Sequence, residues 1–253
     1  MITKTEAIVL RTIDFSESSL IASLFTRKHG IVSVIGKGAK RPKSKFASIL
    51  VPGQVIECIF YYKTTRSVQT LSDVSFLKKL DSLRIDVQKM ALTVTTMELV
   101  KQVLHDNEVN EYLFEFLVKL LIWINERTDV SRKYFPYIQT RIIDYIGIGL
   151  QADENLETKS PARGYMNIES GTLSNTTEGA QSINLSNDQF LFLKSILLKK
   201  NSSIFEKNIA NSELTELIEY LDKYIRYHVE SVTPRSSDHI FDQILNHSYE
   251  TSR

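Results

Sequence analysis

Apolar and polar positions keep two different rhythms along the chain, and the change falls near residue 80. Up to that point apolar residues come in short β-branched runs, as in "EAIVLRTIDFSESSLIASLFTRKHGIVSVIGKGAK", separated by the polar turns "DFSES" and "RKHG" and ending in a glycine-rich basic loop. Runs of this length bounded by turn residues predict strands. A further strand is predicted from Gln54 to Tyr62 and another from Ser67 to Val74, joined by the polar "KTTR". Four or five such strands fit a small closed barrel of the OB type.

From Asp81 the period becomes helical. In "SLRIDVQKMALTVTTMELVKQVL" the residues Leu83, Val87, Met90, Val94, Met97 and Val100 or Lys101 recur at three- and four-residue spacing, which predicts a buried stripe. "NEYLFEFLVKLLIWINE" comes next, with Asn110 as its cap and Leu113, Phe116, Leu117, Leu120 and Ile124 on one face. A third helix, "RKYFPYIQTRIIDYIGIGL", stops at Gly147 and Gly149. A polar, turn-rich and weakly structured insert occupies about 150–185, where a hairpin would turn at Ser170 and Gly171. "NDQFLFLKSILLKK" and "NSELTELIEYLDKYIRYHV" predict two closing helices before a polar tail. The expected class is α+β, with an OB-type barrel domain over 1–80 and a helical domain over 81–253.

Composition sharpens this picture. Of 253 residues, 42% are hydrophobic and 24% charged, the make-up of a folded soluble chain. Cys58 is the one cysteine, so neither an internal disulfide nor a multi-cysteine metal site is expected, and a reduced cytoplasmic setting is. No apolar stretch reaches the roughly 20 residues of a membrane span, and "MITKTEAIVLRT" lacks the pattern of a signal peptide. The net charge of +1 conceals an asymmetry: residues 1–80 carry 13 Lys and Arg against 5 Asp and Glu, net +8, and the remainder is net −7. Such a split predicts that the N-terminal part meets a polyanion.

The cations concentrate in "IGKGAKRPKSKFASIL", where Lys37, Lys40, Arg41, Lys43 and Lys45 stand with no acidic residue between Lys37 and Leu50. A phosphate-binding P-loop needs four residues between its glycines and Ser or Thr after its lysine; here five residues separate Gly30 from Gly36, and Gly38 follows Lys37. Nucleotide hydrolysis is therefore not expected. A cationic loop beside an aromatic strand suits single-stranded nucleic acid, since phosphates demand charge and bases demand flat surfaces. Tyr61 and Tyr62 are candidate platforms, and Phe60 is expected in the core. His29, His105, His228, His239 and His247 are scattered without metal spacing, and no nucleophile motif or carboxylate cluster appears, so no catalytic residue is expected. Trp123 reads as helix packing.

The order of these segments resembles the RecO family of bacterial recombination mediators. The turn carries Asp14, Phe15, Glu17 and Ser19 in a D-[YF]-x-E-x-[DS] pattern; Leu24 to Gly30 fit [LF]-F-T-x-x-x-G, and Lys37 to Ser44 fit K-G-[AV]-[RK]-[RK]-x-x-S. "ILVPGQVIE", "EYLFEFLVKLL" and "RIIDYIG" extend the likeness, which is specific over the first 60 residues and diffuse beyond 150. The resemblance implies a protein that binds single- and double-stranded DNA, anneals complementary strands, and works with RecR to load RecA on strands coated by single-stranded DNA-binding protein, with RecF and RecA as indirect partners in the nucleoid. Many members hold zinc through four cysteines in the insert. This chain has none there, so no zinc or other cofactor is expected.

Carried over by position, the DNA-binding candidates are Lys37, Lys40, Arg41, Lys43 and Lys45, with Arg11, Arg27, Lys28, Lys63 and Arg66 as additions. The resemblance also implies that the helical domain captures the acidic C-terminal tail of the single-stranded DNA-binding protein, for which Lys119, Arg132, Lys133 and Arg141 are candidate cations. The alternative reading is a helical protein-interaction adaptor that touches DNA only incidentally.

Overall fold

The computed structural model describes residues 1–152, 164–177, 179–198 and 202–246; residues 153–163 of the insert, and His247, lie outside them. Five strands close into a barrel: β1 (Ile2–Asp14), β2 (Leu20–Thr26), β3 (Gly30–Gly36), β4 (Val55–Tyr61) and β5 (Val68–Lys78), in the order β1-β2-β3-β5-β4 and back to β1. Alternation carries the core: Ala7, Val9, Ala22, Leu24, Val34, Ile56, Cys58 and Phe60 point inward and are buried. β1 serves two partners. Its N-terminal half pairs with β4 from Ile2↔Tyr61 to Ile8↔Val55, its C-terminal half pairs with β2 down to Asp14↔Leu20, and an irregularity between Val9 and Arg11 bends it between them. The parallel pairing of Ser33 with Val68 closes the ring.

A short helix α1 (Lys45–Ile49) succeeds the basic loop, in a segment that reads as loop in the sequence. Beyond the barrel come α2 (Ser82–Ile85), α3 (Val87–Val103) and α4 (Glu111–Glu126). Asp86 caps α3 by accepting from the Gln88 and Lys89 N–H groups, and Asn110 caps α4 through the Leu113 N–H, as expected. Gly53 adopts φ +82°, and a Cβ there would lie 2.3 Å from the Thr93 methyl, so only glycine admits this approach between barrel and α3.

The buried face of α3 is not the stripe that its periodicity predicts. Val87, Met90 and Val94 are exposed, whereas Ala91, Leu92, Thr93, Thr95, Thr96, Met97, Leu99, Val100 and Val103 are buried. Barrel, α4 and a further helix, α8 (Asp238–Asn246), pack around α3, so its buried residues spread over most of its circumference and leave apolar side chains on the remaining strip. α8 lies in the stretch expected to be a polar tail. Phe241 and Leu245 anchor it, and the Glu98 carboxylate receives hydrogen bonds from the N–H and O–H groups of Ser236 and Ser237 at its start. Met1–Val130 and Pro234–Arg253 form one compact unit, so the helices α2, α3, α4 and α8 belong with the barrel rather than with the rest of the helical part.

Ser131–Thr233 form the second unit. α5 (Tyr134–Tyr145) leads into β6 (Gln151–Ala152), β7 (Gly164–Asn167), β8 (Thr172–Ser174) and β9 (Ser182–Leu185), then α6 (Asn187–Leu198), a 3₁₀ turn (Ser202–Glu206) and α7 (Asn211–His228). The insert thus contains a four-stranded sheet in the order β6-β8-β7-β9, more ordered than its composition suggests. Its turn comes at Ser170 and Gly171, as expected. Gly171 has φ +69°, and a Cβ would lie 2.5 Å from the Tyr224 hydroxyl, which seats the hairpin on α7.

Candidate nucleic-acid interface

The basic loop between β3 and α1 is a fixed platform. Ala39 is fully buried in the barrel core, and Phe46, Ile49 and Leu50 anchor the loop's far end in the same core. Backbone hydrogen bonds tie Ala39 to Gly36, Lys40 to Ser18, Arg41 to Gly38 and Ser44 to Arg41. The Ser44 hydroxyl accepts from the Phe46 N–H and starts α1. Gly38 has φ +70°, and Lys43 holds φ +69°, a left-handed conformation that a lysine rarely adopts. The loop is held against this strain by its anchors.

All five lysines and arginines of the loop are exposed, and they fall into two groups. The Lys40 ammonium lies 2.7 Å from the Asp14 carboxylate and Lys45 pairs with Asp73, whose carboxyl Lys45 and the Val74 N–H hold below the usual range. Lys37, Arg41 and Lys43 have no carboxylate partner among the described residues. Three cations on a rigid backbone, unneutralised and facing water, are what a phosphate chain binds.

The remaining candidates stand on other strands and turns of the barrel. Tyr61 pairs with Thr70 of β5, which pairs in turn with Ile35 of β3 just before the basic loop, and Asp73, the partner of Lys45, lies opposite Ile59, two residues before Tyr61. Lys28, in the turn between β2 and β3, and Lys63 and Arg66, which lie with Tyr62 beside Ile31 and Ser33 at the start of β3, are all exposed and without an ion pair among the described residues. Tyr61 is 45% exposed, whereas the Tyr62 ring packs 5.0 Å from His29 and 6.2 Å from Phe60, which is in the core as expected. Burial, with Lys28 adding to it, keeps His29 below the usual imidazole range. Arg11 is exposed on β1, opposite Ser23 of β2. Arg27 is committed internally: it bonds Glu6 at 2.8 Å and Glu115 at 3.0 Å and lies over the Phe114 ring, fastening α4 to the barrel.

The helical cations divide similarly. Lys119 is exposed on α4. Arg132, by contrast, is 1% exposed and donates to the Asn211 carbonyl and the Thr215 hydroxyl, so it braces α7 rather than rimming a surface pocket. Lys133 donates to the carbonyls of Phe205 and Lys207, and burial lowers its pKa. Arg141 is half-buried, near Asp144 and over Tyr137.

One side chain at the basic end carries no functional signal in the sequence beyond its place in the turn. Phe15, between β1 and β2, is 61% exposed, and Lys40 bonds the residues on both sides of it, Asp14 and Ser16. Its exposure was not legible, because an isolated aromatic in a polar turn reads equally as a hydrophobic plug. Cys58 is buried in the barrel, where desolvation, helped by Glu57, pushes its thiol up to about 12 and leaves it unreactive at neutral pH. Among the described residues no group of three His, Cys, Asp or Glu is placed to hold a metal ion, and no helix is long and apolar enough to cross a membrane.

Comparison with known proteins supports the same family. The family profile for the recombination protein O N terminal region matches residues 1–80, and that for the recombination protein O C terminal region matches residues 84–238. DNA repair protein RecO of Chloroherpeton thalassium is 29% identical over 97% of this chain and 100% of its own length. The proteins of the same name from Salinibacter ruber and Bacillus subtilis are 30% and 31% identical, over 67% and 63% of this chain and 66% and 62% of theirs. With profiles matching both its barrel and most of the remainder, the chain belongs to the RecO family of DNA repair proteins.

Proposed function

We propose that this chain is a non-enzymatic recombination mediator, which binds single- and double-stranded DNA through the basic end of its barrel, anneals complementary strands, and helps load RecA on strands coated by single-stranded DNA-binding protein. The observation that carries the reading is the set of three cations without a carboxylate partner among the described residues, Lys37, Arg41 and Lys43, on a loop anchored by Ala39 and Phe46. Pairing two strands requires phosphate neutralisation on both while the base edges stay free. Cations do this without nucleotide hydrolysis, a metal or covalent chemistry. RecR and the tail of the single-stranded DNA-binding protein are the proposed protein partners, the tail docking on the helical part.

Titration of a labelled oligonucleotide with the full chain at several salt concentrations tests the reading. A steep fall of log K with log salt is expected. Weak, salt-independent binding would favour the adaptor reading instead.

A further inference from the structure

We infer that Phe15 is a base-stacking residue, which makes the basic end of the barrel prefer unpaired bases to duplex. The inference rests on the DNA-binding reading above and deepens it by naming the element that distinguishes single strands. Phe15 is 61% exposed, and Ile13, two residues earlier on β1, is 46% exposed. A large apolar ring left in water forgoes the free energy of burial, and the fold here does nothing to hide it.

This exposure is not that of a loose loop. The Phe15 and Ser16 N–H groups both donate to the Ser19 carbonyl, and the Ser19 N–H donates to the Ser16 hydroxyl, so the turn is closed on itself. Lys40 then grips it three times: its backbone N–H donates to the Ser18 carbonyl, and its ammonium reaches the Asp14 carboxylate at 2.7 Å and the Ser16 carbonyl at 3.5 Å. The turn that presents the ring and the loop that presents Lys37, Arg41 and Lys43 are therefore one body. Cations for the phosphates and a fixed flat surface for a base are the two components a sequence-tolerant single-strand site requires. Duplex bases are already stacked and have no face to offer.

The occupant is thus a base of a single-stranded nucleic acid, and the test separates the ring from the charges. Full-length chain, Phe15→Ala and Phe15→Trp are titrated with a labelled oligothymidylate, an abasic strand of equal length and a duplex. Phe15→Ala is expected to weaken binding of the oligothymidylate about tenfold, the size of one base–aromatic stack, with the salt slope unchanged. Binding of the abasic strand and the duplex stays at the parent level, Phe15→Trp restores affinity, and the new indole is quenched by the oligonucleotide. Parent affinity in Phe15→Ala, or an equal loss on all three probes, overturns the inference while leaving the cationic reading intact. Failure of the parent chain to bind any probe overturns both.

Discussion

The Lys40 ammonium stands 2.7 Å from the Asp14 carboxylate, which binds the basic loop to the β1–β2 turn and neutralises one of the loop's five cations. Asp14 is largely exposed, so the pair contributes about 1 kcal/mol or less to stability. Its electrostatic role is larger. Asp14→Asn should leave the melting temperature nearly unchanged, raise oligonucleotide affinity, and steepen the salt slope by up to about 0.7, the increment of one newly available phosphate contact. An affinity that falls instead would mean the pair holds the loop in shape.

The three cations without a carboxylate partner are expected to dominate that slope. Lys37→Gln, Arg41→Gln and Lys43→Gln combined should flatten log K against log salt by about 2, at about 0.7 per single-strand phosphate, whereas Lys40→Gln and Lys45→Gln together should flatten it less. Glutamine keeps the loop polar at similar side-chain length, and circular dichroism checks that the variant is folded. An unchanged slope in the folded triple variant refutes the assignment.

The barrel was legible because strand alternation survives closure: Ala7 and Val9, or Cys58 and Phe60, lie two apart and face the same core. The basic loop was legible as charge. Its pairing was not, because Asp14 and Asp73 are remote in sequence from Lys40 and Lys45 and only the closed ring brings them together. α3 misled for a different reason. A helix packed on several sides loses its periodic stripe, and one of the covering elements, α8, comes from the far end of the sequence, anchored by Phe241 and Leu245 and capped through Glu98. Arg132 and Lys133 look like surface cations in any linear reading, and only the oxygens they bond, at Asn211, Thr215, Phe205 and Lys207, reveal them as braces.

Lys89 provides a test of packing inside the first unit. It is 3% exposed, and its ammonium donates to the Ser82 hydroxyl and to the carbonyls of Asn125 and Arg127, the last turn of α4 and its C-cap. A cation at a helix C-terminus both satisfies orphan carbonyls and complements the dipole. Lys89→Met should destabilise the chain by about 1.5 kcal/mol in chemical denaturation, because part-buried carbonyls at the end of α4 lose a charged donor. A loss below about 0.5 kcal/mol would show that water replaces the amine.

Glu98 makes stability depend on pH. Burial alone would raise its pKa, but hydrogen bonds from Ser237 and Ser236 outweigh that and hold the carboxyl below the ordinary glutamate range. A folded-state pKa lower than the unfolded one stabilises the fold above the unfolded value and loses that contribution as pH falls through the folded value. Parent chain should therefore exceed Glu98→Gln in stability by about 1 kcal/mol or less near neutrality, the size of a helix-cap interaction partly screened by water, and the gap should close as pH drops below the glutamate range. A gap that widens on acidification contradicts the assignment.

Two DNA strands repel each other, and a cationic surface that neutralises phosphates lowers that barrier while imposing no sequence demand, so annealing should need no nucleotide, should fall with salt, and should fail in the Lys37, Arg41 and Lys43 triple variant. Coated strands pose a second problem, because their bases are covered. Residues beyond the barrel are net −7 and repel the phosphates, so the proposed docking of the coating protein's acidic tail on the helical part depends on local cations such as Lys119, exposed on α4. Annealing of strands coated by the cognate single-stranded DNA-binding protein should therefore persist with the full chain and drop when that protein's acidic tail is deleted, while bare strands anneal at the same rate in either case. Arg132→Lys tests the same platform from the other side: since Arg132 braces α7 from the interior, its replacement should lower thermal stability without a selective loss of coated-strand annealing. Equal effects of tail deletion on bare and coated strands would remove the helical part from the mechanism and leave the barrel to act alone.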